Sequence, residues 1–514
     1  MADMNLGSFA QALTVSEADV RLLVAYDSRV TGFQTASQGA MARGIALAWP
    51  MPLRTDETPA LVGFFGGTSS LSDTMYIYQG THGWTTTNRL PGGAAPYGNW
   101  SDGGNNYAGI PTTEFNIAGG SSRTAYIDGS SGNGNLWSML PKLHFEENGY
   151  PAIDIYGGNP FSGLQVHARH IALGSGSAGP TDMVLAPIRH VEFWPSVNTL
   201  SRTAYPAGSV TCNFTGSSVV SHDVDCGAGV GLPGFVLRNP VSVGAGATPL
   251  RIFSLGGRLF RSSAGAPIAG FHVGAYGTGG HTIGQACSCL GISGQTGLSP
   301  DPYVSEANAT ALIKAGWGRG SGNDAPTHVM CYTGANYASD EQTELAAGTK
   351  TKYRDRHILW AQKMNDICAA ANGGTPPKIC FVFNPAHRNT YSGTMFATAL
   401  AAVMDAAASN ANWSVMDLFT PSNSKSLAGG TPWASPFLPP LQKGNVYRTV
   451  NSVSTGPQAD GSADYVHFGR GGDIRNAFFM WCRLMRSINK DPGMYIGTTR
   501  EGFVGAAGRV GIGL

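Results

Sequence analysis

Apolar residues follow two different patterns along this chain. Residues 20–25 (VRLLVA) form an apolar run with a single charged residue, Arg21, which is typical of a strand that is buried on both faces. Four more runs of this type occur later, at 268–275, 327–333, 378–383 and 413–418. Segments with the apolar spacing of a helix accompany them, at 353–372, 395–408 and 473–488. Alternating strands and helices predict an α/β fold whose parallel sheet is covered by helices on both faces.

Residues 35–265 have a different texture. Short β-type runs such as TMYIYQG, RTAYIDG and PAIDIYG recur there, and Gly, Ser, Thr and Asn separate them at roughly regular spacing. This pattern favours an all-β, sandwich-like region or several packed sheets. The run at 20–25 has no parallel partner near it in the sequence and would fit beside 268–275. We therefore expect the β-rich region to interrupt the α/β domain.

The chain is thus predicted to contain three units. A discontinuous α/β domain comprises residues 1–34 and 266–489. Residues 35–265 form a β-rich insertion, which would bind carbohydrate or make subunit contacts. Residues 490–514 form a glycine-rich C-terminal tail.

Composition excludes several classes of protein. The 514 residues carry 33 Lys and Arg against 32 Asp and Glu, so the net charge is +1. We expect no nucleic-acid partner, because phosphate binding needs a basic surface. The hydrophobic share of 42% is enough to bury a large core and excludes global disorder. The N-terminus lacks the apolar core of a signal peptide, and no apolar run is long enough for membrane insertion.

Polar residues that suit acyl-transfer chemistry follow the predicted strands. Ser28 follows the first strand, Gly280 the second and Asn336 the third, while Asp464 and His467 precede the last helix. In an open parallel sheet the carboxyl ends of the strands collect the reactive groups. A serine becomes a nucleophile when a histidine takes its proton, and a carboxylate orients that histidine. The oxyanion that forms needs preorganised N–H donors.

These four blocks resemble those of the SGNH, or GDSL-like, serine hydrolase superfamily. The matching residues are Asp-Ser, a Gly-x-Thr turn, Gly-x-Asn and Asp-x-x-His, in that order. The resemblance implies a flavodoxin-like three-layer α/β/α domain that acts on ester bonds. It implies that Ser28 is the nucleophile, His467 the general base and Asp464 the acid that orients it. Gly280, Asn336 and the Ser28 backbone N–H would form the oxyanion hole, and neither a metal nor an organic cofactor would be needed.

Two positions depart from the family pattern. Tyr26 stands where the family has a glycine, and Tyr337 stands where it has an aspartate. Neither residue stands at a catalytic position, so we expect these departures to change the packing rather than to remove the activity. Four further residues are candidate substrate contacts or, alternatively, ordinary surface groups: Arg29, His387, Arg388 and Arg470.

The expected function is removal of acyl groups, foremost O-acetyl, from a carbohydrate such as a cell-surface polysaccharide. One alternative is an inactive adhesin or fibre subunit that binds host glycans. A weaker alternative is an intracellular thioesterase or lipase. The glycine-rich insertion and tail are also similar to bacteriophage virion proteins, so we favour virion association over a cytoplasmic location. Homo-oligomer or virion assembly partners are expected with that location.

Overall fold

A computed structural model of the chain describes a defined set of residues. They are 3–13, 20–26, 30, 41–49, 60–65, 75–80, 126–128, 136–141, 165–173, 183–188, 192–194, 199–201, 210–212, 219–228, 234–238, 251–263, 266–267, 271–277, 282–292, 294–295, 307, 310–311, 313–314, 325–384, 393–420, 447–449, 451–452, 456–457, 463–468 and 470–490.

The helices are numbered α1 to α7 in chain order. Their bounds are Leu6–Leu13, Met41–Ala48, Ile283–Cys289, Ser339–Ala346, Thr351–Ala371, Gly393–Ala408 and Arg470–Ser487. The strands are numbered β1 to β22 in the same way. Their bounds are Val20–Tyr26, Ala60–Phe65, Met75–Gly80, Tyr126–Asp128, Leu136–Pro141, Gln165–Leu173, Met183–Ile188, Glu192–Trp194, Thr199–Ser201, Val210–Cys212, Val219–Ala228, Gly234–Arg238, Arg251–Ser263, Ala266–Pro267, Phe271–Gly277, His328–Thr333, Lys378–Phe383, Trp413–Asp417, Tyr447–Thr449, Asn451–Ser452, Gly456–Pro457 and Ala463–Phe468.

A parallel sheet of six strands confirms the predicted α/β class. The strand order is β18-β17-β16-β1-β15-β2, and each neighbouring pair is parallel. The expected pairing of the first strand with the run near residue 270 is confirmed, because β1 pairs with β15. The five strands predicted from apolar runs have the flavodoxin-like order 2-1-3-4-5 among themselves. Strand β2 adds a sixth member at the edge beside β15.

Helices cover the sheet in two groups. Helices α1, α2 and α7 pack together on one face, where the Phe9 ring meets the His328 ring edge-on at 5.1 Å. Helices α3 to α6 pack on the other face, where the His357 ring lies 5.5 Å from the Phe381 ring. Successive strand residues point to opposite faces, so both sides of an apolar run can be buried. All seven residues of β1 are buried, as its sequence predicts.

Antiparallel strands lie between β2 and β15 in the sequence. One sheet has the order β10-β7-β12-β5-β3, and a second has the order β11-β6-β13-β14 with β4 also paired to β13. The predicted packing of such sheets into a sandwich-like insertion remains a proposal. Helix α2 and strand β2 fall within residues 35–265, yet they belong to the α/β layers. The α/β layers therefore include part of residues 35–265, the stretch whose sequence texture predicted a β-rich insertion.

A buried polar chain connects β16 to α5 inside the core. Thr333 Oγ1 lies 2.9 Å from His357 Nε2 and 2.9 Å from the Tyr353 hydroxyl. His357 Nδ1 lies 2.7 Å from the Tyr353 carbonyl oxygen, which can only accept, so Nδ1 carries the proton. Burial lowers the pKa of His357 from its ordinary 6.5 to about 4, against the opposing effect of that backbone hydrogen bond. The imidazole is therefore neutral at pH 7.

No helix in the described part of the chain is long and apolar enough to cross a membrane.

The neutral state of His357 makes the stability of the fold depend on pH. Its pKa is about 4 when folded and near 6.5 when unfolded, so the unfolded chain takes up the proton first as the pH falls. The stabilisation is present above pH 6.5 and is lost between pH 6.5 and pH 4. Between pH 7 and pH 5 the wild type should lose about 2 kcal/mol more unfolding free energy than His357→Gln. Urea unfolding at both pH values measures this difference, and equal losses in the two proteins would contradict it.

Candidate active site

The candidate site lies at the carboxyl edge of the parallel sheet. Strands β1, β15, β16 and β17 are parallel neighbours, so their C-terminal residues end at this one edge. Asn336 follows β16 and is described. Several predicted site residues lie outside the described residues, although each follows a strand that ends at this edge: Ser28, Arg29, Gly280, His387 and Arg388.

The loop that carries Asn336 is braced by side chains. The Tyr26 hydroxyl donates to the Asn336 carbonyl oxygen at 3.2 Å, which links the end of β1 to this loop. The Tyr337 hydroxyl donates to the Gly334 carbonyl oxygen at 3.2 Å. Gln342 Nε2 donates to the Tyr337 carbonyl oxygen at 2.8 Å, which connects the loop to α4. Residues 334–337, named the Asn336 loop below, are thus held from β1, from within and from α4.

Asn336 carries a buried hydrogen-bond donor. The residue is half-buried, and its Nδ2 atom has no hydrogen-bond partner in the described structure. A buried polar group left without a partner costs about 1–3 kcal/mol, and such groups are few in native proteins. An oxygen atom of a bound molecule that accepts from Nδ2 would remove this cost. The oxyanion donor that the Gly-x-Asn block predicts at this position stays a prediction.

Tyr26 has a backbone conformation that is unusual for its type. Its φ is +120°, a region that glycine favours and that costs other residues about 1–3 kcal/mol. The other two non-glycine residues with positive φ in the described structure, Asn5 and Asn489, are asparagines, which tolerate it better. The Tyr26 ring is 2% exposed and belongs to the main core. The predicted change of packing at this position is therefore combined with backbone strain two residues before Ser28.

Helix α7 runs antiparallel to the strands. Asn476, in its second turn, donates a hydrogen bond to the hydroxyl of Tyr332 near the carboxyl end of β16. The other end of α7 lies against α1, whose Phe9 packs on His328 at the amino end of β16. Six residues of helix rise separate Asn476 from Arg470, about 9 Å. The first turn of α7 therefore extends to the carboxyl edge.

Two predicted catalytic residues lie on the strand that leads into α7. Asp464 and His467 belong to β22, which ends at Phe468, and Arg470 is the first residue of α7. The Asp464 backbone pairs with Arg448 of β19. The chain order places this strand next to the helix end that reaches the carboxyl edge. The side-chain contacts of Asp464, His467 and Arg470 lie outside the described structure, so their roles remain predictions.

A buried ion pair supports the start of α4, directly after the Asn336 loop. Glu341 is fully buried, and it accepts from Arg356 Nη1 at 2.6 Å and from the Ala338 backbone N–H at 2.7 Å. Burial raises the pKa of Glu341, against the lowering effect of Arg356 and the Ala338 hydrogen bond. Arg356 also pairs with Asp340 at 2.9 Å. Removing one member would leave a buried charge without its partner, so the network fixes where α4 begins.

Asn384 is a candidate site residue that sequence reasoning missed. It follows β17 directly, its backbone N–H donates to the Thr333 carbonyl oxygen at 2.8 Å, and it is 1% exposed. Neither Nδ2 nor Oδ1 of its side chain has a hydrogen-bond partner in the described structure. The amide therefore has one donor and one acceptor available for a bound group at this edge. Its position directly after a strand end is the one signal that could have identified it.

No group of three or more His, Cys, Asp or Glu side chains within the described ranges could hold a metal ion.

Solved structures that are similar to the chain include enzymes of acyl chemistry. A family two carbohydrate esterase from Clostridium thermocellum, in complex with cellohexaose, is 11% identical with a TM-score of 0.20, covering 58% of this chain and 84% of that one. The salicylyl-acyltransferase SsfX3 from a tetracycline biosynthetic pathway is 12% identical with a TM-score of 0.24, covering 71% and 92%. No family model and no curated protein matches the sequence. The chemistry of the site therefore rests on the residues of this chain.

The packing beneath the Asn336 loop predicts a selective effect of an added methyl group. Gly334 has a φ of +95°, and a Cβ atom there would lie 3.1 Å from two ring carbons of Phe383. Gly348 has a φ of +78° with nothing within 4 Å of such an atom. Gly348→Ala should cost about 1 kcal/mol of unfolding free energy for backbone strain alone. Gly334→Ala should cost about 1–3 kcal/mol more because of overpacking, which denaturant unfolding measures. Equal losses of unfolding free energy in the two variants would show that the Phe383 ring can shift at no cost in stability.

Proposed function

We propose that the chain is a serine esterase that removes acyl groups, foremost O-acetyl, from a carbohydrate. The observation that carries the proposal is the buried Nδ2 of Asn336 at the carboxyl edge of a parallel sheet, which has no hydrogen-bond partner among the described residues. That amide is the one predicted oxyanion donor whose side chain is described. The resemblance of the four sequence blocks to the SGNH superfamily supports the same chemistry.

The proposed reaction proceeds in two displacements. Ser28 Oγ attacks the ester carbonyl carbon while His467 takes its proton, and Asp464 orients the imidazole. The negative charge on the carbonyl oxygen is stabilised by the Asn336 amide and by the backbone N–H groups of Ser28 and Gly280. The C–O bond to the sugar breaks, and His467 returns the proton to the leaving alcohol. Water, deprotonated by His467, then attacks the acyl-enzyme and releases the acid and Ser28.

The remaining assignments belong to the same proposal. The β-rich region would hold the polysaccharide or make subunit contacts, and Arg29, His387, Arg388 and Arg470 would contact the substrate. A location on a bacteriophage virion, with assembly partners there, follows from the texture of the sequence alone. The Asn384 amide, which has no hydrogen-bond partner within the described ranges, would supply a further polar contact for a sugar hydroxyl.

Replacing the proposed nucleophile tests the whole assignment. Ser28→Ala should abolish acetate release from p-nitrophenyl acetate and from an O-acetylated bacterial polysaccharide, because the attacking oxygen is removed. Wild type is the reference for folding and full activity. Ser28→Thr is the reference that keeps a hydroxyl group at this position. Release from the polysaccharide that needs Ser28 supports the carbohydrate esterase. Absence of any Ser28-dependent release would overturn it and favour the glycan-binding alternative, which a glycan array then examines.

Replacing Asn336 tests the role of its amide. Asn336→Ala should lower kcat about 10²–10³-fold and change KM little, since the lost hydrogen bond is made in the transition state. Asn336→Asp retains the shape but places a carboxylate beside the developing negative charge, so it should be at least as inactive. The experiment measures kcat and KM on p-nitrophenyl acetate. Near-wild-type kcat in both variants would remove Asn336 from the oxyanion hole.

A further inference from the structure

We propose that Tyr26 is a positioning residue, which holds Asn336 at a fixed place relative to the end of β1. This inference rests on the proposed function, because it assigns Tyr26 a role in the same site. The Tyr26 hydroxyl donates to the Asn336 carbonyl oxygen at 3.2 Å. One side chain thus connects the strand end that precedes Ser28 to the residue that supplies an oxyanion donor.

The base of this connection is rigid. The Tyr26 backbone pairs with Gly277 of β15 on one side and with Tyr332 of β16 on the other. The residue is 2% exposed within the main core, so its ring cannot move without disturbing buried apolar contacts. A fixed ring gives a fixed hydroxyl. Tyr26 can therefore transmit the position of β1 to the carbonyl that it contacts.

The far end of the connection is held as well. The Asn336 loop begins at Gly334, whose carbonyl oxygen accepts from the Tyr337 hydroxyl at 3.2 Å. The Tyr337 ring is buried and lies 5.2 Å from the Tyr353 ring. Both tyrosines that depart from the family pattern thus hold carbonyl groups of the same short loop. Because its carbonyl is held, the Asn336 backbone has little freedom to move, so the point from which the side-chain amide extends is fixed.

A glycine at position 26 would adopt the observed φ of +120° without strain, but it would have no hydroxyl. Two variants therefore separate the backbone from the hydrogen bond. Tyr26→Phe retains the ring and the strained backbone and removes only the hydroxyl. Tyr26→Gly relaxes the backbone and removes the ring and the hydroxyl together. If the hydrogen bond is what matters, kcat falls in both variants.

The test measures kcat and KM on p-nitrophenyl acetate for the full chain. Tyr26→Phe should lower kcat about fivefold to tenfold, the scale of one hydrogen bond, and leave KM within about twofold. In an Asn336→Ala background the same change should have no further effect on kcat, because Tyr26 acts through Asn336. Tyr353→Phe is the matched control. It also removes a buried hydroxyl, 2.9 Å from Thr333 Oγ1, and should keep wild-type kcat.

Each outcome decides the matter. The expected loss in Tyr26→Phe, its disappearance in the Asn336→Ala background and an unchanged Tyr353→Phe support the positioning role. An unchanged kcat in Tyr26→Phe, a loss that multiplies with that of Asn336→Ala, or an equal loss in Tyr353→Phe overturns it. In each of these cases, wild-type turnover that requires Ser28 would still support the proposed esterase activity. Absence of Ser28-dependent turnover in the wild type overturns both proposals together.

Discussion

The central position of β1 in the parallel sheet is the constraint on which the site depends. Its backbone is paired with β15 on one side and with β16 on the other, and every one of its residues is buried. A strand paired on both sides cannot shift without breaking two ladders of hydrogen bonds. The chain after β1 therefore leaves the sheet at a fixed point. In doubly wound sheets the crevice at such a point, where the strand order reverses, is where ligands bind.

The remaining layers bring distant segments to this point. Because α7 runs antiparallel to the strands, the hydrogen bond between Asn476 and Tyr332 places its first turns near the carboxyl edge. The strand that carries Asp464 and His467 leads directly into that helix. Several hundred residues therefore separate the proposed nucleophile and base in sequence, while the fold directs both segments to one edge. Part of that separation is taken up by the strands between β2 and β15, which lie outside the parallel sheet.

Apolar runs predicted the sheet well, since a strand buried on both faces leaves few polar residues to confuse the pattern. Strand β2 (ALVGFF) was not assigned to the parallel sheet, because an apolar run does not indicate which sheet it joins and the surrounding sequence is glycine-rich. The strand-end rule singled out Asn336, whose Nδ2 has no hydrogen-bond partner among the described residues. Its role as an oxyanion donor stays a prediction. The rule did not identify Asn384, because sequence shows that an asparagine follows a strand and not that its amide lacks partners. The positive φ of Tyr26 could not be predicted either, since tyrosine rarely adopts such a φ.

Tyr26 and Asn336 are each unfavourable for stability, and they lie against each other. A tyrosine at a φ of +120° persists only where the surroundings over-determine it, and here two parallel ladders, a buried ring and a hydroxyl contact do so. The unpartnered Nδ2 of Asn336 persists for a related reason, because the loop that carries it is held by both tyrosines. Strain and a missing hydrogen bond would normally be relaxed by a small movement of the loop. The core restricts that movement, and under the proposed function an oxygen atom of the bound ester would satisfy the amide, which joins the stability of the edge to its proposed chemistry.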